Sequence, residues 1–314
     1  MTTPATGVGN VATNEGRPRV RPGRVLPATL MSDTATQVGL PGKVTTQQLA
    51  AMYRQRQMAI GLAASRAVAA VWQQNVDPAD MNASWGALRD IVLQLIRSYF
   101  QAASADSAQT FEQLRVLSDL PFRQARIATL PAQELERVTD SQSIGRFFQL
   151  APDMPTEMAG EHAGQALEAA SARLALKGGR QTMVEAVHSD PLATGWERTI
   201  SGTACSFCSM LASRGAVYKS EKSADFRAHD HCNCTALPVF RGQEASPQSL
   251  DLARQWREVT ARKSGAAARR AWQDHWEKTN GGRISGATSE TEGAGIGNGQ
   301  RSGGSEFSNN PANG

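Results

Sequence analysis

The sequence predicts a mainly α-helical protein with a small α+β module near its C-terminus. Two observations lead to this prediction. Apolar residues recur at helical spacing through the first part of the 314-residue chain, up to about residue 190. After Asp190 and Pro191 the pattern changes to short apolar runs, separated by segments rich in Gly, Ser, Cys and His. Such runs and segments are typical of short strands and loops.

A helical domain is predicted over residues 43–190. Thr45 and Thr46 can cap a first helix that extends to about Asn75, and a second helix begins near Asp77-Pro78. One apolar stripe follows at steps of three and four with a single step of one: Trp85, Leu88, Val92, Leu95, Ile96 and Tyr99. Further helices are expected near 108–117, 131–150 and 156–177. We expect the last to end at Gly178-Gly179, with a short helix over 181–188.

The segments outside this domain are predicted from local composition. The Pro- and Gly-rich residues 1–42 are expected to form a disordered arm, and the Gly/Ser-rich residues 279–314 a disordered tail. The arginines of the arm can be a solvated face or can contact a partner. Residues 191–245 are predicted as a Cys/His metal-binding module with strands at 196–201 and 235–240, and residues 246–278 as one C-terminal helix.

The composition limits the classes of function. Hydrophobic residues make up 40 % of the chain and aromatic residues 6 %, so the core must rest on Ala, Leu, Val and Met. A net charge of +4 permits contact with DNA or with an acidic protein surface and establishes neither. No run approaches the roughly 20 apolar residues of a membrane helix, and the N-terminal region lacks the apolar core of a signal peptide. We therefore expect synthesis in a reducing cytosol and no membrane partner.

All four cysteines lie within thirty positions, as two closely spaced pairs. Cys205 and Cys208 form a C-x2-C pair, and Cys232 and Cys234 follow after 23 residues, preceded by two histidines. Two intervening residues allow a tight turn to direct both thiolates at one ion, and a second pair returning from a loop closes a tetrahedral site. In a reducing compartment, such cysteines are more often metal ligands than disulfide partners. The spacing predicts a structural Zn²⁺ site.

The cluster offers more ligands than zinc needs. The candidates are Cys205, Cys208, His229, Cys232 and Cys234, of which four are expected to bind. The four cysteines are the preferred set, and the alternative replaces one of the later cysteines with His229. A catalytic pair of Cys208 and His229 is a weaker interpretation. The sequence contains no phosphate-binding loop, no nucleophile elbow and no nucleophile–base pair with diagnostic spacing, so we expect no catalytic residue. The low aromatic content of the helical region also favours no small-molecule substrate.

The cysteine pairs and the residues around them carry a family resemblance. The segment from Gly202 to Gly215, followed by the run from His229 to Cys234, resembles the signature of the Mu F-like minor head protein family of tailed phages. The Leu-Ala-Ser-Arg-Gly stretch at 211–215 is similar to the variant in phages of actinobacteria. The sequence departs from the usual pattern in lacking a proline before His229. The resemblance covers the C-terminal module and not the helical half.

The resemblance implies a head morphogenesis protein, present in few copies in the virion or procapsid. Its implied partners are the portal protein and the scaffold or major capsid protein. We expect a structural role without enzymatic activity. Two alternatives stay open: a capsid maturation protease, and a virion protein that binds nucleic acid through the basic C-terminal helix. For that helix, a solvated face is the more common outcome of such a charge pattern.

Overall fold

The computed structural model describes residues 44–201, 204–217, 226, 228 and 232–280. The predicted N-terminal arm and residues 281–314 of the predicted tail lie outside the described residues. The described chain is mostly helical with one small sheet, which confirms the predicted fold class. Within it, no helix is long and apolar enough to cross a bilayer.

Three long helices form the body of the protein and pack against one another. They are α1 (Thr46–Asn75), α2 (Met81–Leu117) and α5 (Thr156–Ser189). The first begins at the predicted cap, where the Thr45 side chain accepts a hydrogen bond from the Gln48 N–H and the Gln48 side chain accepts one from the Thr45 N–H. This reciprocal arrangement satisfies two donors that a helix start leaves free.

The predicted apolar stripe forms one side of the helical core. Trp85, Leu88, Val92 and Ile96 are all buried, and Trp85 lies 6.2 Å from Trp72 of α1 between ring centroids. The second helix continues without a break through the segment that was expected to be a separate helix at 108–117. Over 131–150 the chain forms α3 (Ala132–Asp140), a π turn and α4 (Arg146–Leu150), as one helical stretch.

The prediction that a helix ends at Gly178-Gly179 is wrong, because α5 runs on to Ser189. A Cβ atom at Gly178 would overlap the Phe100 carbonyl oxygen of α2, and one at Gly179 would overlap the Gln57 side chain of α1. The two glycines therefore lie where α5 approaches α1 and α2 closely. The glycines allow close packing between helices. From the sequence alone, this role cannot be distinguished from that of glycines that end a helix.

The sheet consists of two antiparallel strands, β1 (Ala193–Thr199) and β2 (Thr235–Phe240). The second strand matches its predicted range, while the first begins three residues earlier than predicted. Trp196 of β1 and Phe240 of β2 share one hydrophobic cluster with Tyr53, Phe111 and Met183 of the long helices. The division at residue 190 into two domains stays a prediction, but the parts on its two sides share a core.

The C-terminal segment is a helical hairpin and not the single helix predicted over 246–278. Helix α7 (Pro247–Val259) and helix α8 (Gly265–Thr279) are separated by a turn in which Arg262 adopts a positive φ angle of 62°, and Gly265, the first residue of α8, has a φ angle of 53°. Left-handed backbone ends a helix. In the hairpin, the ring centroids of Trp256 and Trp272 are 5.4 Å apart, and both rings pack against the cysteine region.

Candidate metal centre

The first cysteine pair lies at the start of a short helix, α6 (Ser206–Ala212). Cys205 is the N-cap residue in extended conformation, and its Sγ accepts a hydrogen bond from the Cys208 N–H at 3.4 Å. Because the cap and the third helical residue face the same way, the two-residue spacing directs both thiols to one side. Cys205 is partly exposed, whereas Cys208 is buried.

The second pair immediately precedes β2, and both of its cysteines are buried. The Sγ atoms of Cys208 and Cys232 are 3.6 Å apart, and those of Cys208, Cys232 and Cys234 all lie within 4.8 Å of one another. Four sulfurs around a tetrahedral zinc at about 2.3 Å would be roughly 3.8 Å apart. The three buried thiols could therefore hold a metal ion with little movement.

The structure brings together three of the five predicted ligands. Cys205 adjoins Cys208 through the cap hydrogen bond but is not among the three mutually close sulfurs. His229 and His231 lie outside the described residues. The identity of the fourth ligand and the alternative Cys208–His229 pair thus stay predictions.

The thiols hydrogen-bond to one another, and these bonds shift the pKa values of Cys208 and Cys232 in opposite directions. Hydrogen bonds from the Cys208 and Cys234 thiols hold the pKa of Cys232 below its ordinary value. The pKa of Cys208 is raised, because its thiol interacts with those of Cys205, Cys232 and Cys234. Because a metal ion binds the deprotonated form of a thiol, a bound cation would favour several thiolates at once in this cluster.

Two buried arginines adjoin the thiols, and the sequence analysis did not identify either one. The Arg180 side chain donates from Nε to the Cys234 carbonyl oxygen at 3.0 Å and from Nη2 to the Cys232 carbonyl oxygen. Arg198 Nη1 donates to the Cys208 Sγ at 3.7 Å. Alternation along β1 was the available signal, since it places Arg198 on the same face as the apolar Trp196.

Two tryptophans of α8 donate hydrogen bonds to the segment that carries the first cysteine pair. The indole Nε1 of Trp272 donates to the Ser206 carbonyl oxygen and to Ser209 Oγ, at 3.1 and 3.0 Å. The indole Nε1 of Trp276 donates to the Ala204 carbonyl oxygen at 2.8 Å. These bonds fix the backbone on both sides of Cys205 and attach the C-terminal hairpin to the candidate site.

Comparison with known proteins gives one family. The model of the family described as VG15 protein matches residues 44–259, which include the three long helices, both cysteine pairs and α7. No curated protein and no solved structure matches the chain.

Proposed function

The chain belongs to the VG15 protein family, and from that premise we propose that it is a minor head protein of a tailed phage. Family membership indicates a phage-encoded protein. The finer proposal is that the protein assembles with the portal in the procapsid and stays in the virion. This proposal rests on the family match, which covers both the helical body and the cysteine region. The Mu F-like resemblance concerns that same cysteine region.

The surface of the helical body supports a role in assembly. Large apolar side chains are exposed on it, among them Phe122 at 67 % and Ile127 at 54 %, both in the irregular segment between α2 and α3. Contiguous exposed apolar patches are typical of sites that contact other proteins, whereas single exposed apolar residues are common on any surface. The proposal therefore rests on two such residues lying five positions apart in one segment. We propose that this segment contacts the portal protein.

The proposed metal is a structural Zn²⁺. Three buried thiols at near-tetrahedral spacing suit a soft-ligand site, and a fourth ligand from Cys205 or His229 would leave no position open for water. We also propose that the protein is not an enzyme. The burial of Cys208, Cys232 and Cys234 supports this, because a substrate cannot reach a nucleophile within that cluster.

The test is co-expression of the full-length chain with the portal protein of the same phage. We expect the two to co-purify, and Phe122→Ser with Ile127→Ser to reduce the yield of complex. Leu250→Ser is the matched control, because Leu250 is 50 % exposed but lies on α7 in the C-terminal hairpin. If neither portal nor procapsids bind at micromolar concentration, the assembly role fails. DNA binding that weakens steeply with salt would then favour the nucleic-acid alternative.

The same co-expression, with scaffold and major capsid protein added, tests the enzymatic alternative. We expect intact capsid protein by mass spectrometry. Specific cleavage that is lost on changing one Ser, Cys or Asp of this chain would instead identify a maturation protease.

A further inference from the structure

Two cysteines from different parts of the chain have their sulfur atoms close together. Cys208 lies on α6 and Cys232 lies shortly before β2, and their Sγ atoms are 3.6 Å apart. Both residues are buried, with exposed fractions of 1 % and 5 %. A disulfide bond is about 2.05 Å long, so the two sulfurs would need to approach by roughly 1.5 Å to form one. A movement of this size is comparable with ordinary thermal displacements in a folded protein.

Two other pairings among the cysteines are less suited to a disulfide. Cys205 adjoins Cys208 but is not among the three mutually close sulfurs. Cys232 and Cys234 are separated by a single residue, so a bond between them would constrain very little of the chain. A disulfide stabilises a fold mainly by restricting the unfolded chain, and the effect grows with the length of the loop that it closes. Cys208 and Cys232 enclose 23 residues, and their bond would fasten α6 to the segment that leads into β2.

We propose that Cys208 and Cys232 form a reversible disulfide in the metal-free chain when a peroxide is present. The ion and the disulfide exclude each other, because both use the same two sulfurs. The bond therefore replaces the ion as the cross-link between α6 and the segment before β2. This exchange rests on the proposed metal centre, whereas the disulfide itself requires only the two thiols. Cytosolic thiols keep such cysteines reduced, so we expect the disulfide only outside a reducing compartment.

The step is a two-electron oxidation in which hydrogen peroxide is reduced. The thiolate of one cysteine attacks a peroxide oxygen, the O–O bond breaks, and the sulfur becomes a sulfenic acid while the departing hydroxide takes up the thiol proton as water. The sulfur of the other cysteine then attacks the sulfenic sulfur, and the S–O bond breaks with release of a second water. Two thiols and one peroxide thus give one disulfide and two waters.

The burial of the cluster does not prevent this reaction. It excludes a polypeptide, but hydrogen peroxide is little larger than a water molecule. Cys205 is partly exposed and adjoins Cys208, so the cluster is closest to solvent on the side of the first cysteine pair. We expect the oxidant to enter there.

The test is oxidation of the full-length chain with one equivalent of hydrogen peroxide, after a chelator has removed any metal. Unoxidised thiols are alkylated in denaturant, the disulfide is reduced, and the released thiols are alkylated with a second reagent of different mass. We expect tandem mass spectrometry to find the first label on Cys205 and Cys234 and the second on Cys208 and Cys232. Dithiothreitol added before the first alkylation should return all four cysteines to the first label.

The matched variant is Cys234→Ser, which removes a thiol of the same cluster and should keep the disulfide. The second label on any other pair of cysteines, Cys208 with Cys234 included, would overturn the assignment. Sulfinic acid without a disulfide would overturn it as well. The oxidised chain should also have a higher Tm than the reduced metal-free chain, and equal values would contradict the proposed cross-link.

A parallel reaction separates this inference from the metal centre. Zn²⁺ added before the peroxide should slow disulfide formation by about 10-fold or more, because the ion occupies the thiolates. A chain that binds no Zn²⁺ but forms the bond between Cys208 and Cys232 would refute the metal centre and keep the disulfide. A chain that binds Zn²⁺ but forms no such bond after its removal would refute the disulfide alone.

Discussion

The indole Nε1 of Trp272 lies 3.1 Å from the carbonyl oxygen of Ser206, so α8 is attached directly to the turn that carries the first cysteine pair. Trp272 lies beyond residue 259, where the family match ends. The candidate metal centre is therefore completed by a helix outside the matched region. Its second tryptophan bond, to Ala204, acts on the same turn.

The indole bonds give a first prediction. Trp272→Phe keeps most of the ring volume but removes both hydrogen bonds, and we expect it to lower the free energy of unfolding by about 1–3 kcal/mol. Zinc should also be lost to a chelator faster than from wild type. Trp256→Phe is the control, because it keeps the bonds to Ser206 and Ser209. Equal rates of zinc loss in the two variants would contradict the proposed attachment.

A second prediction concerns the metal. Protein purified without chelator should contain about one zinc per chain, as a closed four-ligand site requires. We expect Cys208→Ser to lose the ion and to lower the free energy of unfolding by about 3 kcal/mol or more, because a metal site and a buried group are lost together. Elemental analysis and thermal unfolding measure these effects. Stability that is unchanged by chelation would refute the prediction, and His231→Ala should have little effect.

The glycines of α5 give a third prediction, with an internal control. Gly178→Ala and Gly179→Ala should each destabilise the protein by roughly 1–3 kcal/mol, because the added methyl overlaps a neighbouring helix. Gly86→Ala, in α2 with no atom near the added Cβ, should instead stabilise by about 0.5–1 kcal/mol. Urea unfolding measures both effects. A stabilising effect at 178 and 179 would show that the helices do not approach each other there.

The ion pair of Arg115 and Asp190 gives a fourth prediction, on pH. Burial alone would raise the pKa of Asp190, but hydrogen bonds from Arg115 and the Leu192 N–H outweigh it and hold that pKa below its ordinary value. The stabilisation is therefore complete above the pKa of an unfolded aspartate and is lost as pH falls through the lower folded value. Asp190→Asn should flatten this acid dependence in thermal unfolding, while the surface variant Asp251→Asn should not.

The sequence predicted what depends on local pattern. The start of α1 at its threonine cap, the apolar stripe of α2, the range of β2 and the closeness of three cysteines all follow from spacing and composition. It failed where the reason lies in another part of the chain. Gly178 is small because α2 crosses there, and Arg180 is buried where it binds the carbonyl oxygens of Cys232 and Cys234. The turn that divides the C-terminal helix depends on left-handed backbone at Arg262, which has no strong local signal.

Gly179 and Arg180 are consecutive residues of one uninterrupted helix. The first lies where α5 approaches α1 and α2 closely, and the second binds the loop that carries Cys232 and Cys234. Because the helix is continuous across these two residues, their positions are fixed relative to each other. Displacement of the cysteine loop must either move the helix crossing or break the arginine bonds. The arginine bonds thus connect the packing of the three long helices with the position of the loop at the candidate metal centre.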